Sequence, residues 1–151
     1  MQQLFFLLGG SLLAVMAGLS FVMQQAVNVN LRASLGSAAW AGFVSYVGGS
    51  VCMLVIALAL RDPTPHLGVI VKSNWWAWTG GLFGAIYIGI AIVLVPRLGT
   101  AAFVTLLVAG QMLASLAFDH YGLFGLARHP VDLYRLLGAA LLVAGVVLVR
   151  L

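Results

Sequence analysis

The residues from Leu82 to Met112, LFGAIYIGIAIVLVPRLGTAAFVTLLVAGQM, constrain this chain more than any others: two apolar runs joined at Val95-Pro96-Arg97-Leu98-Gly99. In that joint a proline ends one helix, an arginine faces water and a glycine lets the chain reverse. Extended outward, neither run meets a charge before Lys72 on one side and Asp119 on the other. The arms Trp76 to Val95 and Thr100 to Phe118 are each about 20 residues, which at ~1.5 Å per residue crosses a ~30 Å hydrocarbon layer. The expectation is a transmembrane helical hairpin of two antiparallel neighbours, with the rest of the chain following it into the bilayer.

Composition agrees. The chain is 64% hydrophobic and 7% charged, against roughly 25% charged in ordinary soluble domains. The net charge of +4 comes from single Lys and Arg residues scattered through connections, so no basic cluster grips nucleic acid. The lone cysteine, Cys52, lies in an apolar run and reads as a small hydrophobe. No Cys/His set has metal-ligand spacing, and neither a Walker loop nor GxSxG occurs. No cofactor and no metal are expected.

Five all-α spans follow, at about 3–34, 37–60, 76–95, 100–118 and 133–151, in one domain over 1–151. The first lacks the Lys/Arg n-region of a secretory signal and is read as a retained helix. Nothing interrupts it after Leu19, so it is expected to run through Gln24, Gln25 and Asn28 towards Arg32 and Gly36. Ser37 is a plausible N-cap for the second span, which Arg61-Asp62-Pro63 stops. Ala38, Gly42, Ser45 and Gly49 repeat at three- and four-residue steps and offer a small-residue stripe for helix packing; Gly80 and Gly84 form a GxxxG face on the third span. Trp75, Trp76 and Trp78 read as an interfacial aromatic belt.

An odd number of spans puts the termini on opposite sides. Arg61, Lys72, Arg128 and Arg135 then fall on the N-terminal side, and Arg32, Arg97 and Arg150 on the other. So flat a positive-inside balance leaves two outcomes open: insertion both ways up, with antiparallel pairing, or one orientation with the N-terminus cytoplasmic.

Polar side chains at membrane depth demand an explanation. Ser20, Gln24 and Asn28 share a helix face and either line a polar path for a small solute or lie at the wetted interface. Gln111, Ser115 and Asp119 form a similar stripe on the fourth span; Gln111 falls in mid-bilayer, where its amide binds a ligand or ties two helices. Tyr87 has the same two readings. Asp119-His120 sits at a span end, either as a proton-coupling pair or as ordinary interfacial charge.

Several ordered motifs resemble one family. Asn28-Val29-Asn30-Leu31, Leu35-Gly36-Ser37, Ser45 through Gly48, the run Gly80 to Tyr87, Val95 through Gly99, Gly110-Gln111 and Asp119-His120-Tyr121-Gly122 look like the YdcZ-like proteins, five-helix members of the drug/metabolite transporter superfamily. The resemblance covers nearly the whole chain. It implies one inverted-repeat unit completed by an antiparallel copy of itself or a close homologue, in the cytoplasmic (inner) membrane. It also implies a central path lined by Gln24, Asn28, Tyr87 and Gln111. Small multidrug resistance relatives carry a membrane glutamate on the first helix; Gln24 and Asn28 stand in that region here, which argues against cation-for-proton exchange. The resulting expectation is a secondary transporter of a small organic solute, not an enzyme. Its rivals are a non-transporting subunit that docks a larger partner, and a membrane-embedded enzyme using Asp119, His120 and His129.

Overall fold

Six α-helices and two short 3₁₀ turns make up the computed structural model, which describes residues 2–150, with side-chain surroundings for 8–149 except residue 67. Leu151, the expected end of the last span, lies outside the described residues. The helices are α1 (Gln2–Leu35), α2 (Ala38–Leu60), α3 (Leu67–Lys72), α4 (Gly80–Leu98), α5 (Thr100–Tyr121) and α6 (Leu133–Arg150). Among the described residues, four stretches are long and apolar enough to cross a membrane: Leu8–Leu35, Ala38–Leu60, Trp75–Leu98 and Thr100–Tyr121. The apolar part of α6, Leu133–Val149, is shorter. At ~1.5 Å per residue it reaches about 25 Å, enough for a thin or locally compressed hydrocarbon layer.

The ends of these helices follow their residues. Ser37, in extended conformation, accepts the Trp40 backbone N–H at 3.3 Å and starts α2 as expected. At the other end of α2, Arg61 takes a left-handed conformation (φ 56°) where glycine is usual; the Arg61 and Asp62 N–H groups close on the Leu58 and Ala57 carbonyls. The connection to the tryptophans contains a short helix, α3, that no cap or periodicity announced. Trp75 to Thr79 form a 3₁₀ turn leading into α4, so the third regular helix starts at Gly80 and not at Trp76. Trp75 and Trp78 are exposed, and the Trp78 indole N–H donates to the Ser73 hydroxyl at 2.8 Å.

Pro96 does not end its helix. α4 continues through it to Leu98. A proline inside a helix cannot donate to the carbonyl four residues back, here Ile92. That carbonyl receives the Arg32 guanidinium from α1 instead, at 2.9 Å. A side chain sixty positions away supplies the hydrogen bond that the proline removes, which is why the sequence rule for a break fails here.

The chain divides into two compact units, Met1–Pro96 and Arg97–Leu151. The first holds α1 to α4. Its core is Ala41, Ile88 and Ile92, flanked by Leu31, Ala38, Tyr46 and Tyr87. Gly42 approaches Ile88 and Ile92 while Tyr46 approaches Gly84, so α2 runs antiparallel to α4. Gln25 meets Tyr87 and Arg32 meets Ile92, so α1 runs parallel to α4. The second unit is an α5–α6 hairpin with Phe103, Ala139 and Val146 buried. Elsewhere large apolar side chains are open, among them Leu12, Leu58 and Leu141. In water so much exposed hydrocarbon would drive aggregation, whereas lipid tails solvate it without cost.

Of the expected packing residues, Gly42 is buried, and a Cβ built on it would lie 3.4 Å from the Ile88 side chain. A Cβ on Gly84 would collide with the Tyr46 hydroxyl. Ser45 is half-buried beside them, while Gly49 and Gly80 face open space. The close-packed seam is therefore centred on Gly42 and Gly84, not spread along both glycine rows.

A buried polar seam on α1 as the candidate functional site

One stripe of α1 carries Phe21, Gln25, Asn28 and Arg32 at steps of four, three and four, which places them on a single helix face. Gln25 and Asn28 are each only 3% exposed and are the buried polar residues of the described chain. The Gln25 amide N–H donates to the Tyr87 hydroxyl. The Tyr87 ring stacks on Phe21, with centroids 5.0 Å apart and planes 20° from parallel. Two polar atoms stay without a hydrogen bond among the described residues: Gln25 Oε1, an acceptor, and Asn28 Nδ2, a donor. Buried polar groups are ordinarily satisfied, and each one left open costs about 1–3 kcal/mol. Having accepted from Gln25, Tyr87 keeps its own hydroxyl proton to give. An open acceptor on Gln25 and a phenol proton on Tyr87 lie together beside an aromatic stack, and an open donor on Asn28 follows one turn along the same face of α1.

Of the residues expected to line a path, Asn28 is buried on this face of α1, and Tyr87 meets it through Gln25. Gln24 does not join them: it is exposed, and its neighbour Gln25 takes the inward position. Choosing Gln24 followed the four-residue spacing from Ser20 to Asn28; the 21–25–28–32 rhythm, which includes an aromatic and an arginine, carried the better signal. Phe21 and Arg32 were missed for the same reason. Gln111 lies on α5 in the second unit, exposed, and its amide makes no hydrogen bond among the described residues.

Asp119 and His120 belong to a different kind of arrangement. The Asp119 carboxylate pairs with Arg135 at 3.2 Å, both side chains being a little over a third exposed. The His120 Nδ1 accepts the Val131 backbone N–H at 3.2 Å. The Arg128 Nε–H donates to the His120 carbonyl and the His129 N–H to the Asp119 carbonyl, at 2.9 and 2.8 Å. Asp132 accepts the Arg135 N–H at 2.8 Å and starts α6. Gly122, in left-handed conformation (φ 63°), lets the chain turn back under Leu126 and Arg128, where a side chain would crowd the Leu126 carbonyl. These groups fasten the 122–132 connection to the end of α5. No group of three or more metal-ligating side chains occurs among the described residues.

Comparison with known proteins follows the same line. A family model described as "Putative inner membrane exporter, YdcZ" matches residues 9–148. The inner membrane protein YdcZ of Escherichia coli (strain K12) is 28% identical over 140 residues, covering 89% of this chain and 90% of that protein. No solved structure matches. The family description places its members in the inner membrane, and the four long apolar helices suit a multi-pass protein there. By a match that takes in all but its extreme ends, this chain belongs to the YdcZ family of inner-membrane proteins.

Proposed function

We propose that the protein is a secondary transporter of a small organic solute, working by alternating access at a polar site shared by two protomers of opposite orientation. The carrying observation is the pair of buried, unpaired amide atoms, Gln25 Oε1 and Asn28 Nδ2. A protein that keeps such atoms open in its interior gives up stability, and a cargo with its own donor and acceptor recovers it. The polar atoms of Gln25, Asn28 and Tyr87 are uncharged, which favours a cargo neutral where it meets them, and the Phe21–Tyr87 stack gives it an apolar wall. The family description as an exporter supports outward movement.

Three features favour the inverted pair. Four Lys/Arg against three on the two sides leave orientation weakly fixed. Gln111 has an amide that its own chain does not satisfy, and the apolar outer faces are free for a partner helix. Asp119 and His120, engaged as described, serve this reading as fasteners of a connection and not as proton carriers. The same engagement disfavours the enzyme reading, since general acid–base work needs groups free to exchange protons.

The test is efflux from proteoliposomes loaded with a mixed panel of small amides, amino acids and aromatic compounds, read by mass spectrometry. The wild type should release a subset, and Gln25→Leu/Asn28→Leu should release none. A wild type that releases nothing above empty vesicles defeats the transporter reading. Reporters active on only one side of the membrane, fused to either terminus, address the pairing: signal from both sides is expected, and signal from one side alone defeats the inverted pair.

A further inference from the structure

Arg32 has no ion-pair partner among the described residues. It sits half-buried near the end of α1, and its described polar contact is the bond to the Ile92 carbonyl. That carbonyl is neutral and engages one N–H of a guanidinium whose planar fork carries several more. The chain has three acidic residues, of which Asp62 alone belongs to the first unit with Arg32. Asp119 is held by Arg135, and Asp132 starts α6. Asp62 follows the far end of α2, which at ~1.5 Å per residue is about 35 Å from the end adjoining α1. A half-buried guanidinium whose donors are not all used can take an anion from outside the chain.

Beside it is room for one. Arg32, Val29, Ala33, Gly36 and Pro96 line an open cavity of about 360 Å³. Its walls are apolar apart from the guanidinium. Pro96 both contributes a wall and, by leaving the Ile92 carbonyl free, fixes the arginine through that carbonyl. We infer that this cavity is an oxyanion site: it takes a carboxylate or phosphate carried on a small apolar body, with the Arg32 fork on the oxygens and Val29, Ala33 and Pro96 around the hydrocarbon. Arginine suits this task because its planar donors match two oxygens at once. The oxyanion comes either from an anionic lipid or from a soluble organic acid, and the chemistry recognised is the same. The site lies one turn beyond Asn28 on the same face of α1, and its binding of an anion does not depend on the transport reading.

The experiment uses the full chain in nanodiscs of phosphatidylcholine alone or with phosphatidylglycerol, and reads thermal stability with and without butyrate or octanoate. The wild type in phosphatidylcholine should gain stability saturably with the acids if the source is soluble. It should gain it from phosphatidylglycerol, with little further effect of the acids, if the source is lipid. Arg32→Gln should weaken the response at least ~10-fold, the loss expected of a charge-assisted contact worth about 1.4 kcal/mol or more. Because Arg32→Gln also frees the Ile92 carbonyl, Ala33→Phe is the companion: it fills the cavity, leaves the Arg32–Ile92 bond alone and should abolish the response in a folded protein. Equal responses in the wild type and Ala33→Phe, or no response of the wild type to either source, overturn the site.

Discussion

Two polar regions of this chain obey opposite rules. In the first unit, neutral amides are almost fully buried and part of their hydrogen-bonding capacity is open. In the second, the carboxylates of Asp119 and Asp132 are more exposed, yet each has a partner. If polarity served only to hold helices together, the reverse would be expected, since the deeper group has more to lose by staying unpaired. On the transport reading proposed above, the contrast separates groups that fasten from groups that wait. Removing a partner of Asp119 should then loosen a connection, whereas removing Gln25 should take away a capacity.

The largest effect should come from replacing the waiting groups. Gln25→Leu/Asn28→Leu should abolish panel efflux while thermal stability changes by no more than about 1 kcal/mol, because removing two open buried atoms offsets the loss of the Gln25–Tyr87 bond. A clear fall in stability with efflux intact would erase the distinction between the two regions. Next comes the seam that holds the waiting groups in place. Gly84→Ala should cost about 1–3 kcal/mol through overpacking against the Tyr46 hydroxyl, and Tyr46→Phe should restore most of it in the double variant. Additive losses in that cycle would mean that the contact is not the cause.

A comparable loss is expected at the proline. Arg32→Leu leaves the Ile92 carbonyl without its donor and should cost about 1–3 kcal/mol. Pro96→Ala returns a backbone N–H to that carbonyl, so the double variant should recover most of the stability, measured by thermal unfolding in detergent. The smallest effect belongs to the fasteners. Asp119→Asn should cost about 0–1 kcal/mol, because a pair this exposed is largely screened, and it should leave efflux unchanged. Loss of efflux without loss of stability would return Asp119 to the transport path and sharpen the comparison against the present reading.

Much of the architecture was legible without coordinates. Apolar run lengths gave four candidate spans and Ser37 gave the start of α2, because each is a local property of a few residues. Asn28 and Tyr87 were legible as candidates, since polar groups are conspicuous in apolar helices. The choice between Gln24 and Gln25 was not, because it depends on which face of α1 meets α4. Gly84 was flagged by its GxxxG spacing, yet only the approach of Tyr46 distinguishes it from Gly80.

Sequence by itself determined that the chain lives in a bilayer, that at least four of its helices are long and apolar enough to cross one, and which family it belongs to; those follow from hydropathy, length and ordered motifs, which no fold can alter. Tertiary structure alone decided which amide turns inward and that Asp119 and His120 are occupied. It also decided that α4 survives its proline. The physical reason is common to all three: a helix satisfies its own backbone without help, but a side chain, or a carbonyl orphaned by proline, finds its partner only where another helix is brought alongside.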